Sequence, residues 1–152
     1  MKMTKFSIAP IMFGGLVLLS ACSSDPRIMP NDHMQELATS FSQRDIHGPL
    51  PSGWRQLDGT EINYRFANET YGVYSVTTDQ QLLVMHLEDN STGSLVGMDK
   101  PRQCQWTSIA DRLTLDCEKF EKSWRIYTNG PDLVAADLEE ETYAIMKKRN
   151  TY

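Results

Sequence analysis

The sequence predicts a mainly β fold: a small antiparallel barrel of about eight strands, preceded by a short helix and stapled by one disulfide. Three observations predict it. Residues 50–149 break into short runs in which apolar and polar side chains alternate, the period of a strand with one buried face. Turn-forming pairs punctuate these runs, among them Asp58-Gly59 and Asn129-Gly130. Two cysteines, Cys104 and Cys117, fall on opposite arms of one expected hairpin.

The chain opens with Lys2 and Lys5, then an apolar run from Ile8 to Leu19 that contains Pro10 and Gly14-Gly15. A transmembrane helix needs about 20 apolar residues, and this run is shorter, so the layout is that of a signal peptide. Leu19-Ser20-Ala21-Cys22 follows. This stretch resembles the lipobox of bacterial lipoprotein precursors. The resemblance implies cleavage before Cys22, acyl chains of the palmitate kind on Cys22, and attachment to a membrane through that lipid. Ser23 stands where an inner-membrane lipoprotein of that class would carry Asp, which implies the outer membrane and its periplasmic face. The expected organisation is then a signal peptide over 1–21, a lipidated tether over 22–32 containing Pro26 and Pro30, and a single domain over 33–152.

Charge narrows the partners. The chain has 15 Lys+Arg against 20 Asp+Glu, and removal of the signal takes away Lys2 and Lys5, deepening the acidic excess. An acidic surface excludes nucleic acid as an expected partner. Lys147-Lys148-Arg149 is the one basic run and reads as a solvated element end. With Cys22 assigned to lipid, Cys104 and Cys117 are an even pair in an oxidising compartment and read as a disulfide.

The elements follow in order. From His33 to Ile46, Met34, Leu37, Ala38 and Phe41 recur at helical spacing, with Asn31 or Asp32 as the cap, so a short amphipathic helix packs on the domain or serves as its lid. Thr60 to Ala67 alternates Ile62, Tyr64 and Phe66 against Glu61, Asn63 and Arg65 and reads as a strand entered through the Asp58-Gly59 turn. Tyr71–Thr77 is a second strand, rich in aromatic and β-branched residues. Gln81–Leu87 is apolar on both faces and reads as an interior strand. Residues 88–102 read as a long polar loop, the expected lid or contact loop.

Gln103–Glu118 is the hairpin with the clearest register. A turn centred on Ala110-Asp111 sets Cys104 opposite Cys117 and Trp106 opposite Leu115 on the apolar face, and Gln105 opposite Asp116 and Thr107 opposite Thr114 on the polar one. The cysteines then occupy a non-hydrogen-bonded pair, where Cα atoms are about 4.5 Å apart, within disulfide reach. Lys119–Thr128 places Phe120, Lys122, Trp124 and Ile126 on one side, and Asn129-Gly130 turns the chain back. Asp132–Arg149 reads either as one helix, by its Ala, Leu and Glu content, or as two strands, Leu133–Leu138 and Thr142–Lys148. The returning strand that an Asn-Gly turn demands favours the second.

Gly53-Trp54-Arg55, the run of short antiparallel strands, and Tyr143, Lys147 and Arg149 near the end resemble small bacterial lipocalin-like lipoproteins over residues 50–149. The resemblance implies a barrel whose interior holds one small apolar ligand or is filled by side chains. Expected lining residues are Trp54, Tyr64, Phe66, Val84, Trp106, Leu115 and Trp124. No nucleophile elbow is present, and His33, His47 and His86 have no ligand spacing. We therefore expect no catalytic residues, no metal and no cofactor. The expected function is a non-catalytic envelope protein binding an apolar ligand or a partner protein. A pilot lipoprotein of a secretion or surface machine is the alternative. A lysozyme inhibitor ranks below both, because the Ser-Gly-x-(Arg/Lys)-Tyr signature is missing.

Overall fold

The computed structural model describes residues 32–78, 80–97 and 100–150. The signal peptide, Cys22 and most of the tether lie outside them. Among the described residues there are two α-helices and nine strands: α1 (Asp32–Ser42), β1 (Arg55–Gln56), α2 (Gly59–Phe66), β2 (Glu69–Ser75), β3 (Gln81–Leu87), β4 (Thr92–Val96), β5 (Arg102–Thr107), β6 (Leu113–Cys117), β7 (Phe120–Asn129), β8 (Asp132–Asp137) and β9 (Thr142–Arg149).

Strands β2 to β9 form an antiparallel up-and-down meander, each paired with the next. It closes where β2 pairs with β9, from Thr70 opposite Arg149 to Ser75 opposite Ala144. The result is a closed barrel of eight strands, with no free edge between first and last. Strand β7 outruns its neighbour: β6 pairs with it from Phe120 to Trp124, and β1 pairs further along at Tyr127 and Thr128. Since β8 occupies the other edge of β7, β1 extends the edge that β6 leaves.

The sheet buries both faces along β8 and β9. One core fills the barrel, with Val73, Met85, Leu95, Trp106, Leu115 and Ile126 among its members. The other lies outside, where α1 lays Met34, Ala38 and Phe41 against Tyr74, Tyr127, Val134 and Ile145. Alternation along β8 divides the labour: Leu133 and Ala135 point inward, and Val134 and Ala136 point to the helix. Phe41 makes edge contacts with Trp54 and Tyr143, ring centroids 5.0 Å apart in each case. The helix stops at Ser42, before the expected Ile46, yet Ile46 is still buried in the same outer core.

Residues 60–67 do not form the expected strand. They are α2, and the reason is a capping box that the alternation concealed. Asp58 Oδ1 accepts from Glu61 N at 2.8 Å, and Glu61 Oε1 accepts from Asp58 N at 3.3 Å. Leu57 before the cap and Ile62 at the fourth helical position are both fully buried, the arrangement of a hydrophobic staple. Asp58-Gly59 is thus a helix start, not a hairpin turn. Ile62 and Phe66, four apart, face inward together, and Tyr64 faces out.

The expected long loop is also corrected. Thr92–Val96 is β4, joined to β3 by a tight turn at 88–91. Its inward positions are Gly93 and Leu95, so a single large apolar side chain marks it, too weak a pattern to read. Gly93 is required there, because a Cβ would sit 2.9 Å from the Leu87 side chain and 3.0 Å from the His86 carbonyl. Strand β3 has the expected bounds but one buried face, Leu83, Met85 and Leu87, with Leu82 exposed. The last stretch resolves into two strands, β8 and β9.

The cysteine hairpin has the expected register. Cys104 faces Cys117, Trp106 faces Leu115, and the disulfide joins Cα atoms 4.2 Å apart. Ala110 and Asp111 have φ of 58° and 54°, and Arg112 N donates to Ile109 O at 3.3 Å, the two-residue turn whose twist suits a hairpin.

Candidate functional site

The two ends of the barrel differ. At one end α2 lies across the opening and inserts Ile62 and Phe66 into the interior. Phe66 packs on Tyr71 with ring centroids 4.6 Å apart, and the Tyr71 hydroxyl donates to the Arg65 carbonyl at 3.2 Å. Trp106 Nε1 donates to the Glu88 carbonyl at 2.8 Å, so its polar edge is satisfied at the rim of this closed end. Among the described residues no helix or loop plugs the opposite end in this way. It opens into a recess of about 360 Å3 between the ends of β2, β3, β7, β8 and β9.

The recess has apolar walls and a charged rim. Val73, Val76, Leu82, Leu83, Phe120 and Trp124 are among its lining residues. Lys122 continues the inward row of Phe120, Trp124 and Ile126, which places an ammonium where the strand pattern would put an apolar group. That ammonium is not left alone. Lys122 Nζ donates to Asp137 Oδ2 at 2.7 Å and to Glu140 Oε1 at 2.9 Å. Asp137 Oδ1 accepts from Glu139 N at 3.0 Å and Glu140 N at 3.1 Å, so the same carboxylate folds the β8–β9 turn. The Lys122 and Asp137 side chains are only 18% and 10% exposed.

The electrostatics hold this pair ionised. Burial works against the Lys122 ammonium, but the hydrogen bonds it donates to Asp137 and Glu140, with the charges of those carboxylates, outweigh it and raise its pKa. Burial likewise opposes the Asp137 carboxylate, and the Lys122 hydrogen bond with the Glu139 and Glu140 amides lowers its pKa overall. At neutral pH both members are therefore ionised, an ion pair held at the mouth. Such an arrangement orients a polar group while the walls take an apolar one.

The seven expected lining residues separate into four places. Phe66, Trp106, Leu115 and Trp124 lie in the barrel core, and Trp124 also lines the recess. Trp54 is outside the barrel, half-buried under α1 against Phe41. Tyr64 stands on the outer side of α2, and Val84 lies half-buried on the outward face of β3. Cys104 and Cys117 are bonded inside the barrel, and Cys22 lies outside the described residues. Lys122, Asp137 and Glu140 escaped sequence reasoning. The signal was present in Lys122, a charge within an inward apolar row that demands a partner.

The histidines are placed apart. His33 Nε2 lies 2.9 Å from Asp132 Oδ2, His86 Nδ1 lies 2.7 Å from Thr70 Oγ1, and His47 Nε2 lies 3.6 Å from Glu141 Oε1. Among the described residues no three His, Cys, Asp or Glu side chains come together as a metal site. Fold and site together define a small closed antiparallel barrel with a side-chain-filled core and a recess at one end. Protein-family models, characterised proteins and solved structures give no match to this chain.

Proposed function

We propose that this protein is a lipid-anchored binding protein of the bacterial envelope, lipocalin-like in architecture. It acts by capturing an apolar side chain of a partner protein in the recess at its open end. Cys22 carries the lipid, and the domain faces the periplasm from the outer membrane. The observation that supports this most is how the interior is used. Aromatic and aliphatic side chains fill the barrel, so binding falls to its rim, and a recess of about 360 Å3 is near the lower bound of small-molecule sites, which run from about 300 to 1,000 Å3. A small apolar socket bordered by a fixed charge pair suits one anchoring side chain of a partner, the unit that dominates protein–protein binding.

The test is photocrosslinking from the recess. A photoreactive residue at Leu82, which is exposed on its rim, should give one dominant protein adduct in intact envelopes. Adducts spread over many abundant proteins would count against a specific partner. A second reading, a small apolar ligand, is favoured by the predominance of hydrocarbon in the recess walls. Under it the same probe labels a lipid or another small molecule, detected by mass spectrometry of the purified chain.

A further inference from the structure

The closed end of the barrel carries a surface of another kind. The outward side of α2 leaves Tyr64 86% exposed, and the β5–β6 turn beside it leaves Ile109 74% exposed. Both are held in place. Gly59 N donates to Asp111 Oδ1 at 2.8 Å, and a Cβ at Gly59 would collide with the Ser108 carbonyl, so helix and turn are pressed together. Two large exposed apolar side chains on rigidly joined elements need an explanation that single scattered ones do not.

Tyr64 also borders a groove of about 870 Å3 that runs from the end of α2 to the beginning of α1. Arg65, Lys147 and Lys148 line it against Glu69 and Asp132, a cationic excess on a domain that is acidic elsewhere. Lys148 is paired with Glu69 at 2.8 Å, and Arg65 reaches the Gly130 carbonyl at 3.3 Å. Lys147 is exposed.

The path of the chain gives this end its direction. Helix α1 starts here, with His33 against Asp132 at the first residue of β8. The segment after α1 reaches the other end, with His47 near Glu141 in the β8–β9 turn. Cys22 precedes Asp32 by about ten residues, a length that spans at most roughly 35 Å. A lipid on Cys22 therefore pulls on the closed end.

We propose that the closed end is a bilayer-facing surface. Tyr64 and Ile109 enter the interfacial layer, where amphipathic aromatic and apolar side chains are stabilised. Arg65, Lys147 and Lys148 meet anionic phospholipid headgroups. The recess at the far end is then presented to the periplasm. This rests on the lipid-anchor reading, and the experiment separates the two.

The lipidated full chain is incorporated into vesicles of phosphatidylethanolamine and phosphatidylglycerol. An environment-sensitive fluorophore is attached through Tyr64→Cys, Ile109→Cys or, at the open end, Glu140→Cys, and lipid-borne quenchers report depth. Labels at 64 and 109 should shift to the blue and lose most of their emission, and the label at 140 should stay unquenched. Exchanging phosphatidylglycerol for phosphatidylcholine should reduce the shift at 64, and an unchanged shift would remove the headgroup contacts from the proposal. A chain that floats with the vesicles while 64 and 109 remain in water, or while 140 is quenched, overturns the orientation. A chain that does not float overturns the lipid anchor itself.

Discussion

At the scale of a residue, Lys122 shows how a closed barrel tolerates a charge on its inward face. Its ammonium is held by two carboxylates, and one of them, Asp137, is fixed in turn by two backbone amides. Removing the Asp137 charge leaves a half-buried cation whose remaining carboxylate partner among the described residues is the exposed Glu140. Asp137→Asn should therefore lower unfolding free energy by about 1–3 kcal/mol at neutral pH, less than for a wholly buried pair. The pH dependence has two signs. Asp137 has a lowered folded pKa, so its contribution is present above the ordinary carboxylate pKa, about 3.9, and is lost as pH falls through the folded value. Lys122 has a raised folded pKa, so its contribution is complete below about 10.4 and is lost as pH rises through the folded value. In urea titrations of wild type and Asp137→Asn, the stability gap should begin to narrow below about pH 4 and close as pH falls through the folded value. A constant gap down to the lowest pH would mean that packing, not the ion pair, is what the substitution removes.

At the scale of an element, α2 and the cysteine hairpin show opposite degrees of legibility. The hairpin was readable to the residue because its information is local: a two-residue turn fixes the register, and the register puts one cysteine opposite the other. Helix α2 is hidden from periodicity because Ile62 and Phe66 fit both periods and Tyr64 between them completes a strand alternation. Positions 62 and 66 lie on one helical face, and 62, 64 and 66 lie on one strand face. The deciding feature was Asp58-x-x-Glu61 with Leu57 before it, a start signal that outranks three alternating residues. Phe66→Ala empties the plug and should cost about 3–5 kcal/mol. Chemical denaturation gives that number, and a loss below 1 kcal/mol would mean that Tyr71 and Leu57 collapse into the space. Cys104→Ser removes a cross-link over a short loop and should cost about 2–4 kcal/mol while leaving the attachment proposed through Cys22 unchanged, as read by envelope fractionation.

At the scale of the whole molecule, the sequence predicts a barrel but not which two strands close it. The pairing of β2 with β9 joins residues 69 to 79 positions apart, from Ser75 with Ala144 to Thr70 with Arg149, and neither strand holds a local mark of its distant partner. Whether the interior is hollow was equally hidden, since it depends on how side chains from eight strands and α2 add in volume. The open-end site shares that fate, because Lys122 and Asp137 meet only after β7 and β8 pair. Closure also joins the two cores, since β8 and β9 contribute alternate residues to each. The protein should then unfold as one unit, although α1 sits outside the barrel. Its three tryptophans divide between the cores: Trp54 reports the outer one, and Trp106 and Trp124 the inner one. In a Trp54→Phe background, Phe41→Ala strikes only the outer core and should cost about 3–5 kcal/mol. Fluorescence of Trp106 and Trp124 should show the whole of that shift, at the same midpoint as far-ultraviolet circular dichroism. If the inner tryptophans instead keep their original midpoint while helical signal is lost first, α1 is a separable strap, and the two cores are independent in spite of the strands they share.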